Sequence, residues 1–226
     1  HCWDILTPRG TYDLEAFQLL SVLQEHAPQL QSVLELGSGV GALMESFPSN
    51  VEVVFLERSE NMLALSRRRN PEREHVCADM LNFDLNRSFD AIVIHDAVMY
   101  LTERADLLKC FRGAYKHLNS SGVFMIFPDT TTEFFQEHAI SGGAEAEGTA
   151  VQILEWHWDS DPSDEQIQVE FSLLIREKGE ISSHHESHSM GLFSIDTYKI
   201  ILREAGFSDV RQIDGIFAGV VFLAIR

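Results

Sequence analysis

Residues 33–41, with the sequence VLELGSGVG, restrict the fold of this chain more than any other segment. An apolar run leads into three closely spaced glycines, and a helical pattern follows them. This order is typical of a strand, a tight turn and a helix start in an α/β protein. Glycines in such a turn bring backbone N–H groups against a ligand without intervening side chains, so we expect a nucleoside ligand here.

Strand-like apolar runs alternate with helical patterns along most of the chain. The runs lack a two-residue alternation, as expected of strands that are buried on both faces of a parallel sheet. The order predicts an α/β fold with a mostly parallel sheet and helices on both faces. The predicted strands cover residues 33–36, 51–56, 75–78, 91–94, 123–127, 210–213 and 217–225. The predicted helices cover residues 12–27, 42–47, 59–69, 103–118 and 195–205, with a turn at 119–122. In the first helix, the predicted apolar side consists of Leu14, Phe17, Leu20 and Leu23.

Residues 129–193 interrupt this rhythm with alternation of period two. The alternating segments are residues 151–158, 166–176 and 181–190. In the second of them, one face carries Val169, Phe171, Leu173 and Ile175. We predict an antiparallel meander that forms a lid over the carboxyl edge of the parallel sheet.

Length and charge restrict the class of protein. A chain of 226 residues suits one domain, predicted over residues 1–226 with its core at about 12–128 and 194–226 and the lid insert at about 129–193. The net charge of −18, from 35 acidic and 17 basic residues, argues against nucleic acid as a partner. The acidic field either favours a cationic or neutral small molecule or only keeps the protein soluble.

Neither membrane insertion nor disulfide formation is predicted. No apolar run approaches the ~18 residues that a membrane helix needs. Cys2, Cys77 and Cys110 are an odd number of cysteines without a CxxC pair. We therefore expect a cytoplasmic protein with reduced thiols.

Two nucleoside cofactors compete for the glycine turn. Gly37, Gly39 and Ala42 satisfy the loose dinucleotide pattern GxGxxG/A. Glu57 stands where an acid binds a ribose in such proteins. Glu35 lies next to the expected position of a pyrophosphate and would repel it, which disfavours an NAD-type oxidoreductase. S-adenosylmethionine carries an ammonium and a positively charged sulfur, which a carboxylate attracts. A third alternative is a module that binds this cofactor without catalysis.

Further candidate contacts follow the second and third strands. Asp79 is placed to accept a hydrogen bond from an adenine amino group, while Met80 and Met62 are placed to contact the ring. These positions fall at the carboxyl ends of parallel strands, where open α/β sheets bind ligands. Core packing of Met62 and a turn role for Asp79 are the alternatives.

Five segments resemble successive motifs of class I S-adenosylmethionine-dependent methyltransferases: ELGSGVG, FLERSENML, HVCADM, FDAIVIHDAVMYL and LNSSGVFMIF. The segment GLFSIDTYKIILREAGFSDV is similar to that family's late helix and strand before a final antiparallel strand. The arrangement resembles the small-molecule branch that contains macrolide aminosugar N,N-dimethyltransferases. The resemblance implies a Rossmann-like seven-stranded sheet whose last strand is antiparallel. It also implies an enzyme that transfers a methyl group from S-adenosyl-L-methionine to a nitrogen or oxygen of a small metabolite in natural-product biosynthesis.

The same resemblance implies a set of cofactor contacts. They are Glu35, Gly37, Ser38 and Gly39 with the methionine end, Glu57 with the ribose, Arg58 and Met62 beside the adenine, and Asp79 and Met80 at its amino group and edge. His95 would lie near the sulfonium. Tyr12 would close over the cofactor together with Trp3 and Asp4.

His95 and Asp96 are the predicted catalytic residues, because they follow the fourth strand directly. Methyl transfer requires positioning and desolvation, and a hydroxyl acceptor usually also needs a base. A histidine can act as that base or orient the acceptor. A hydrogen-bonded structural histidine is the alternative.

The predicted substrate contacts are Tyr100 and four lid residues, namely Trp156, Trp158, His184 and His188. Strand geometry places the two tryptophans on one face and the two histidines on one face. Packing is the alternative role of the aromatic residues. The two histidines would stand roughly 13 Å apart in a strand, which is too far for one ion, so no metal site is predicted. A homodimer is left open.

Overall fold

The computed structural model describes residues 2–213 and 219–226. Seven strands form the main sheet in the order β10-β11-β5-β4-β1-β2-β3. The five parallel strands are β1 (Ser32–Leu36), β2 (Glu52–Glu57), β3 (Glu74–Cys77), β4 (Phe89–His95) and β5 (Leu118–Phe127). β10 (Asp209–Ile213) and β5 both pair antiparallel with β11 (Val221–Ile225). The predicted Rossmann-like sheet with an antiparallel last strand is therefore confirmed; residues 217 and 218 of the predicted last strand lie outside the described residues.

Helices cover both faces of this sheet, because alternate strand residues enter two separate apolar clusters. Ile92 and Ile94 of β4 pack with residues of α4 and α5, whereas Ala91 and Val93 pack with residues of α2. Each fully buried side chain of this size contributes about 1.5–3 kcal/mol. The helices are α1 (Cys2–Leu6), α2 (Asp13–His26), α3 (Glu60–Arg69), α4 (Arg104–Lys116) and α5 (Ile195–Ala205), with a 3-10 turn at Ala97–Tyr100.

The buried face of α2 differs from the predicted one. Ala16, Leu19 and Leu23 are buried, whereas Leu14 and Phe17 are among the most exposed apolar residues of the protein. Leu23 is buried as predicted, but Leu14 and Phe17 lie on the side that is rotated towards solvent. Both faces carry apolar residues, so periodicity alone did not determine which one packs on the sheet.

The helix predicted at residues 42–47 is absent, and this segment consists of turns. Side chains from elsewhere bind carbonyl groups at both ends of this segment: Asn70 Nδ2 donates to O of the preceding Gly41 at 2.9 Å, and Arg73 Nη2 donates to Phe47 O at 2.6 Å. Helix formation has a costly nucleus, and six residues before Pro48 are too few to offset it against these bonds.

Residues 119–122, which were predicted to form a turn, form the irregular start of β5. The pairing of β5 with β4 shifts register between Phe89 and Ala91, and Ser121 has a φ of +64°. The chain therefore bulges where a turn was expected, and the regular strand begins at Val123.

A second, antiparallel sheet forms the insert between β5 and α5. Its strands are β6 (His138–Ala146), β7 (Thr149–Trp158), β8 (Gln166–Glu177) and β9 (Glu180–Gly191), in that order. Sequence reasoning predicted the last three strands and missed β6, whose residues are nearly all exposed and rich in Gly and Ala. The insert starts and ends at one place, because Thr132 N donates to Phe193 O at 3.2 Å.

One face of this insert sheet packs on the core. Val169 and Phe171 of β8 are buried there, as the alternation predicted. We call this the inner face and the opposite one the outer face. Across residues 2–213 and 219–226, no helix combines the length and apolarity that a bilayer span requires.

Candidate active site

The candidate site lies where β1, β2, β4 and β5 end, at the edge where open α/β sheets bind ligands. Gly37, directly after β1, has a φ of +67°, which residues with side chains rarely adopt. A Cβ at this position would lie 2.3 Å from the Cβ of Ala97. Glycine therefore allows the turn after β1 to contact the 3-10 turn after β4.

Two buried oxygens without a hydrogen-bond partner flank the glycine turn. Glu35 is 3% exposed, and neither its Oε2 nor the buried Ser38 Oγ has a partner among the described residues. Burial, with smaller effects of the negative charges of Asp96 and Glu57, raises the pKa of Glu35 from 4.5 to about 8. Buried polar groups normally have partners, so these oxygens fit a ligand that supplies donors or positive charge.

Glu57 ties the glycine turn to the start of α3. Its Oε2 accepts a hydrogen bond from Gly39 N at 3.1 Å, and its Oε1 accepts one from Ser59 N at 2.8 Å. Ser59 in turn caps α3, because its hydroxyl accepts a hydrogen bond from Met62 N. The structure thus brings Glu57, Gly39 and Met62 together at the end of β2.

Asp79 and Met80 follow β3 beside this group. Ala78 N donates to Glu57 O at 3.2 Å, which places the end of β3 next to that of β2. The exposed Asp79 accepts a hydrogen bond from Leu81 N at 2.8 Å, so it also has the turn role that was the alternative. Arg58, directly after Glu57, is exposed at the same edge.

His95 and Asp96 lie together at the end of β4. His95 Nδ1 is 3.1 Å from Asp96 Oδ2, and the imidazole lies 6.0 Å from the Tyr12 ring and 5.7 Å from the Phe127 ring. Asp96 has a φ of +33°, a strained conformation for a residue with a side chain. Burial raises the pKa of Tyr12 to about 12, and nearby carboxylates add to this effect.

A cavity of about 200 Å³ opens beside His95 and Asp96. Its lining residues are Tyr12, Glu15, His95, Asp96, Phe127, Pro128, Asp129, Gly219, Val220 and Val221. Sequence reasoning did not select Asp129. Asp129 follows β5 just as Asp79 follows β3. The rule that ligands bind at strand ends could therefore have identified it from the sequence.

The pKa values of Asp96 and Asp129 are shifted in opposite directions. Loss of hydration in the cleft, followed by the charge and hydrogen bond of Asp96, raises the pKa of Asp129 well above its usual value, and Glu155 adds to the effect. Loss of hydration opposes ionisation of Asp96 too, but its hydrogen bond with His95 and the charge of that residue lower its pKa. Of the two carboxyls, Asp96 therefore ionises more readily than Asp129.

Through His188, the inner face of the insert sheet contacts the 3-10 turn after β4. The Tyr100 hydroxyl is 3.0 Å from His188 Nδ1, and His188 Nε2 is 3.3 Å from Glu186 Oε2. His184 shares this face because it pairs with Leu173, two positions from Phe171. Trp3 of α1 packs edge-on against Phe171 at 6.0 Å.

Asp4, which sequence reasoning grouped with Trp3, lies in α1 and contacts Arg69 at the end of α3. Its Oδ1 is 3.7 Å from Arg69 Nη2, and Arg69 Nε is 3.3 Å from Glu45 Oε2. The segment between α1 and α2 is held by the same group, because Gly10 N donates to Glu45 Oε1 at 2.8 Å. These contacts hold α1 and Tyr12 against the end of α3.

Trp156 and Trp158 do not reach the site, which corrects the prediction that they line it. They share one face as expected, but it is the outer face, and Trp156 is 57% exposed. Period two places both on one side without deciding which side packs on the core. His157 lies on the inner face instead, with Nε2 3.3 Å from Glu155 Oε2.

The side chains that typically bind metals in proteins are those of His, Cys, Asp and Glu. Within the described part of the chain, no three His, Cys, Asp or Glu side chains are grouped closely enough to hold an ion. The thiols of Cys2, Cys77 and Cys110 are free.

Comparison with known proteins agrees with this geometry. Residues 33–122 match the family model described as "Methyltransferase domain". The chain is 30% identical over 200 residues to the dTDP-3-amino-3,6-dideoxy-alpha-D-glucopyranose N,N-dimethyltransferase of Streptomyces fradiae, covering 87% of this chain and 78% of that relative.

Solved structures share the whole fold. DesVI of Streptomyces venezuelae superposes with a TM-score of 0.87 at 23% identity, covering 97% of this chain and 94% of that chain. CalS10 from Micromonospora echinaspora superposes with a TM-score of 0.81 at 25% identity, covering 95% of this chain and 91% of that chain. The CalS10 structure contains bound S-adenosylmethionine, and its protein is described as an amino pentose methyltransferase involved in calicheamicin biosynthesis.

Proposed function

Because this chain belongs to the class I S-adenosylmethionine-dependent methyltransferases, with S-adenosyl-L-methionine as cofactor, we propose that it methylates an amine nitrogen of a small metabolite. The observation that carries this choice of acceptor is the anionic cleft around His95, Asp96 and Asp129. An amine needs alignment and a place for its proton, and carboxylates favour a basic nitrogen over a neutral hydroxyl. The amine-directed names of the relatives support the same choice.

The proposed cofactor site is the end of the sheet from β1 to β3. Glu35 and Ser38 would bind the methionine end, because their buried oxygens lack partners in the protein. Gly37 and Gly39 leave room for this end, and Glu57 would accept hydrogen bonds from the ribose. The adenine contacts are proposed to be Arg58, Met62, Asp79 and Met80, with Tyr12 covering the methionine end. When bound, the cofactor supplies an electrophilic methyl group on a positively charged sulfur.

We propose that His95 and Asp96 position the acceptor. Asp96 orients the His95 imidazole through the 3.1 Å contact at Nδ1, and its lowered pKa favours the carboxylate form. His95 lines the cavity and takes the proton that the newly formed ammonium releases after C–N bond formation. Asp129 lines the same cavity and is added to the proposed acceptor contacts.

The insert is proposed to act as a lid, residues 129–193, on a single domain that covers residues 1–226. Tyr100, His184 and His188 would contact the acceptor from the lid side. We also propose a natural-product setting, in which aminosugars such as those named for the relatives are the nearest acceptor class.

We also propose an oligomeric state and a cellular compartment for this protein. Leu154, Trp156 and Leu174 form an exposed apolar area on the outer face, and two copies could bury it in a homodimer. Free thiols favour a reducing compartment, so we propose the cytoplasm.

The test compares His95→Ala with His26→Ala, at the opposite end of α2 from the site. With a panel of amino and hydroxy acceptors, we expect His95→Ala to lower kcat by roughly 10²-fold and to leave the cofactor affinity unchanged. His26→Ala should retain wild-type kcat. Methylation of hydroxyl but not amino acceptors would contradict the proposed acceptor, and wild-type kcat of His95→Ala would contradict the role of His95.

A further inference from the structure

The names of the relatives raise the question of which chemical group carries the acceptor amine in the substrate of this chain. Three of them are named for dTDP-linked aminosugars, which carry a doubly anionic diphosphate. Proteins hold such groups with Arg and Lys side chains or with free N–H groups at helix N-termini. The charges and donors around the cleft show whether this chain has such a site.

The cavity and the inner face of the lid carry acids and histidines. Arg58, the proposed adenine contact at the end of β2, is a cation whose charge acts on Tyr100. Glu15, Asp96 and Asp129 line the cavity, and the charge of Glu155 reaches Asp129 from β7. Directly paired residues of antiparallel strands point to the same face of a sheet. The strand register therefore assigns every other residue of the insert strands to the inner or the outer face. In strands β6 to β9, the ionisable residues of the inner face are His138, Glu155, His157, Glu177, Glu180, His184, Glu186 and His188.

The basic residues of the insert do not face the cleft. Residues 129–193 contain one arginine and one lysine, Arg176 and Lys178. Arg176 lies on the outer face, where its Nη2 is 3.2 Å from Glu145 Oε2. Lys178 lies in the β8–β9 hairpin, 3.6 Å from Glu177 Oε1. Residues 214–218, which lie outside the described residues, have the sequence DGIFA and include no basic residue.

Carboxylates of the chain itself bind backbone donors at the glycine turn and at the starts of α3 and α5. Glu57 accepts from Gly39 N and Ser59 N, at the glycine turn and the start of α3. Glu133 accepts from Ile195 N, at the start of α5, at 3.0 Å. The turns at residues 42–47 also replace the helix whose N-terminus would attract a phosphate.

We propose that the acceptor amine of this chain sits on a carrier without phosphate, such as an aminosugar joined by a glycosidic bond to a neutral or cationic scaffold. This inference rests on the proposed amine methylation and narrows its substrate class. The acidic cleft attracts an ammonium and repels a diphosphate, so it selects between carriers by charge.

The test measures binding of thymidine diphosphate by calorimetry at low ionic strength, to the protein alone and to the protein saturated with S-adenosylhomocysteine. We expect no measurable binding to the wild type in either state. Glu155→Arg places a cation on the inner face and should strengthen thymidine diphosphate binding by at least about tenfold.

The matched control is Glu170→Arg on the outer face. Glu155 and Glu170 lie on adjacent strands, are 24% and 25% exposed, and each contacts a histidine, His157 and His185 respectively. Thymidine diphosphate binding to the wild type below about 0.1 mM, or an equal gain in both variants, would overturn the inference. Failure to bind S-adenosylhomocysteine would instead contradict the proposed function, and the measurement on the protein alone would still decide the inference.

Discussion

The Tyr100 hydroxyl lies 3.0 Å from His188 Nδ1 and thereby joins the 3-10 turn after β4 to strand β9 of the lid. Both rings also approach each other, with centroids 5.6 Å apart, and His188 packs against Phe171. This contact is a direct polar link between the edge of the main sheet and the inner face of the lid.

Tyr100→Phe should therefore loosen the lid. The variant keeps the ring and removes the hydroxyl, which costs about 0.5–1.5 kcal/mol for a typical hydrogen bond. We expect faster hydrogen exchange at the amides of β9 near His188, and a raised KM for the acceptor. Ser172→Ala is the control, because it removes a similar 3.1 Å bond to His185 on the outer face. Equal exchange in Tyr100→Phe and the wild type would show that the bond does not hold the lid.

Glu35 should make cofactor binding depend on pH. Burial raises its pKa to about 8, so the carboxyl is protonated at neutral pH in the free protein. A positively charged ligand stabilises the carboxylate, so binding should release a proton. The affinity should rise as the pH approaches about 8 and change little above that value. Calorimetry in buffers of different ionisation enthalpy measures the released proton.

Glu35→Gln is the matched variant for this effect. It keeps the shape of the side chain and cannot ionise, so the proton release should disappear and the affinity above about pH 8 should fall. Glu25→Gln changes an exposed acid of α2 and should retain the wild-type profile. A pH profile of Glu35→Gln equal to that of the wild type would assign the titration to another group.

Gly37→Ala should destabilise the protein more than a glycine substitution at an open position. Gly37 and Gly148 both have positive φ, at +67° and +80°. A Cβ at Gly37 would lie 2.3 Å from the Ala97 Cβ, whereas a Cβ at Gly148 would have no atom within 4 Å. Backbone strain costs about 1–2 kcal/mol in both variants, and overpacking adds about 1–3 kcal/mol at Gly37. Urea unfolding measures the two costs, and equal values would show that the turn moves away from Ala97.

Glu57→Ala should weaken cofactor binding by two routes. The ribose would lose its proposed acceptor, and Gly39 N and Ser59 N would lose theirs, which loosens the glycine turn. We expect at least a tenfold loss of affinity, or about 1.4 kcal/mol. Glu74→Ala is the control, since Glu74 pairs with Arg87 on the surface of β3. Calorimetric affinity unchanged in Glu57→Ala would exclude the proposed ribose contact.

Sequence reasoning predicted the elements whose signals are local. The apolar runs of β1 and β4 lie close to their predicted positions, and Ser59 caps α3 as its side chain allows. The same reasoning was wrong where tertiary contacts decide. Asn70 and Arg73 bind the carbonyl groups of residues 41 and 47, and no pattern within residues 42–47 reveals these distant donors.

The candidate site shows the same division. Residues directly after strands could be identified because parallel strands end at one edge, and Glu57 and Asp79 do lie side by side. Trp156 was assigned to the wrong face because an alternating strand has two faces and only packing distinguishes them. The opposite pKa shifts of Asp96 and Asp129 depend on two strand ends meeting, so spacing along the chain does not encode them.

The hydrogen bond between Thr132 and Phe193 closes the lid insert at its base, so more than sixty residues leave and rejoin the core at one point. The main sheet consequently needs nothing from the insert to complete its strand order. Exchanging this insert between homologous enzymes should alter the preference for the acceptor and leave the cofactor-binding edge of the sheet intact. The junction at Thr132 and Phe193 is therefore a suitable boundary for engineering chimeras.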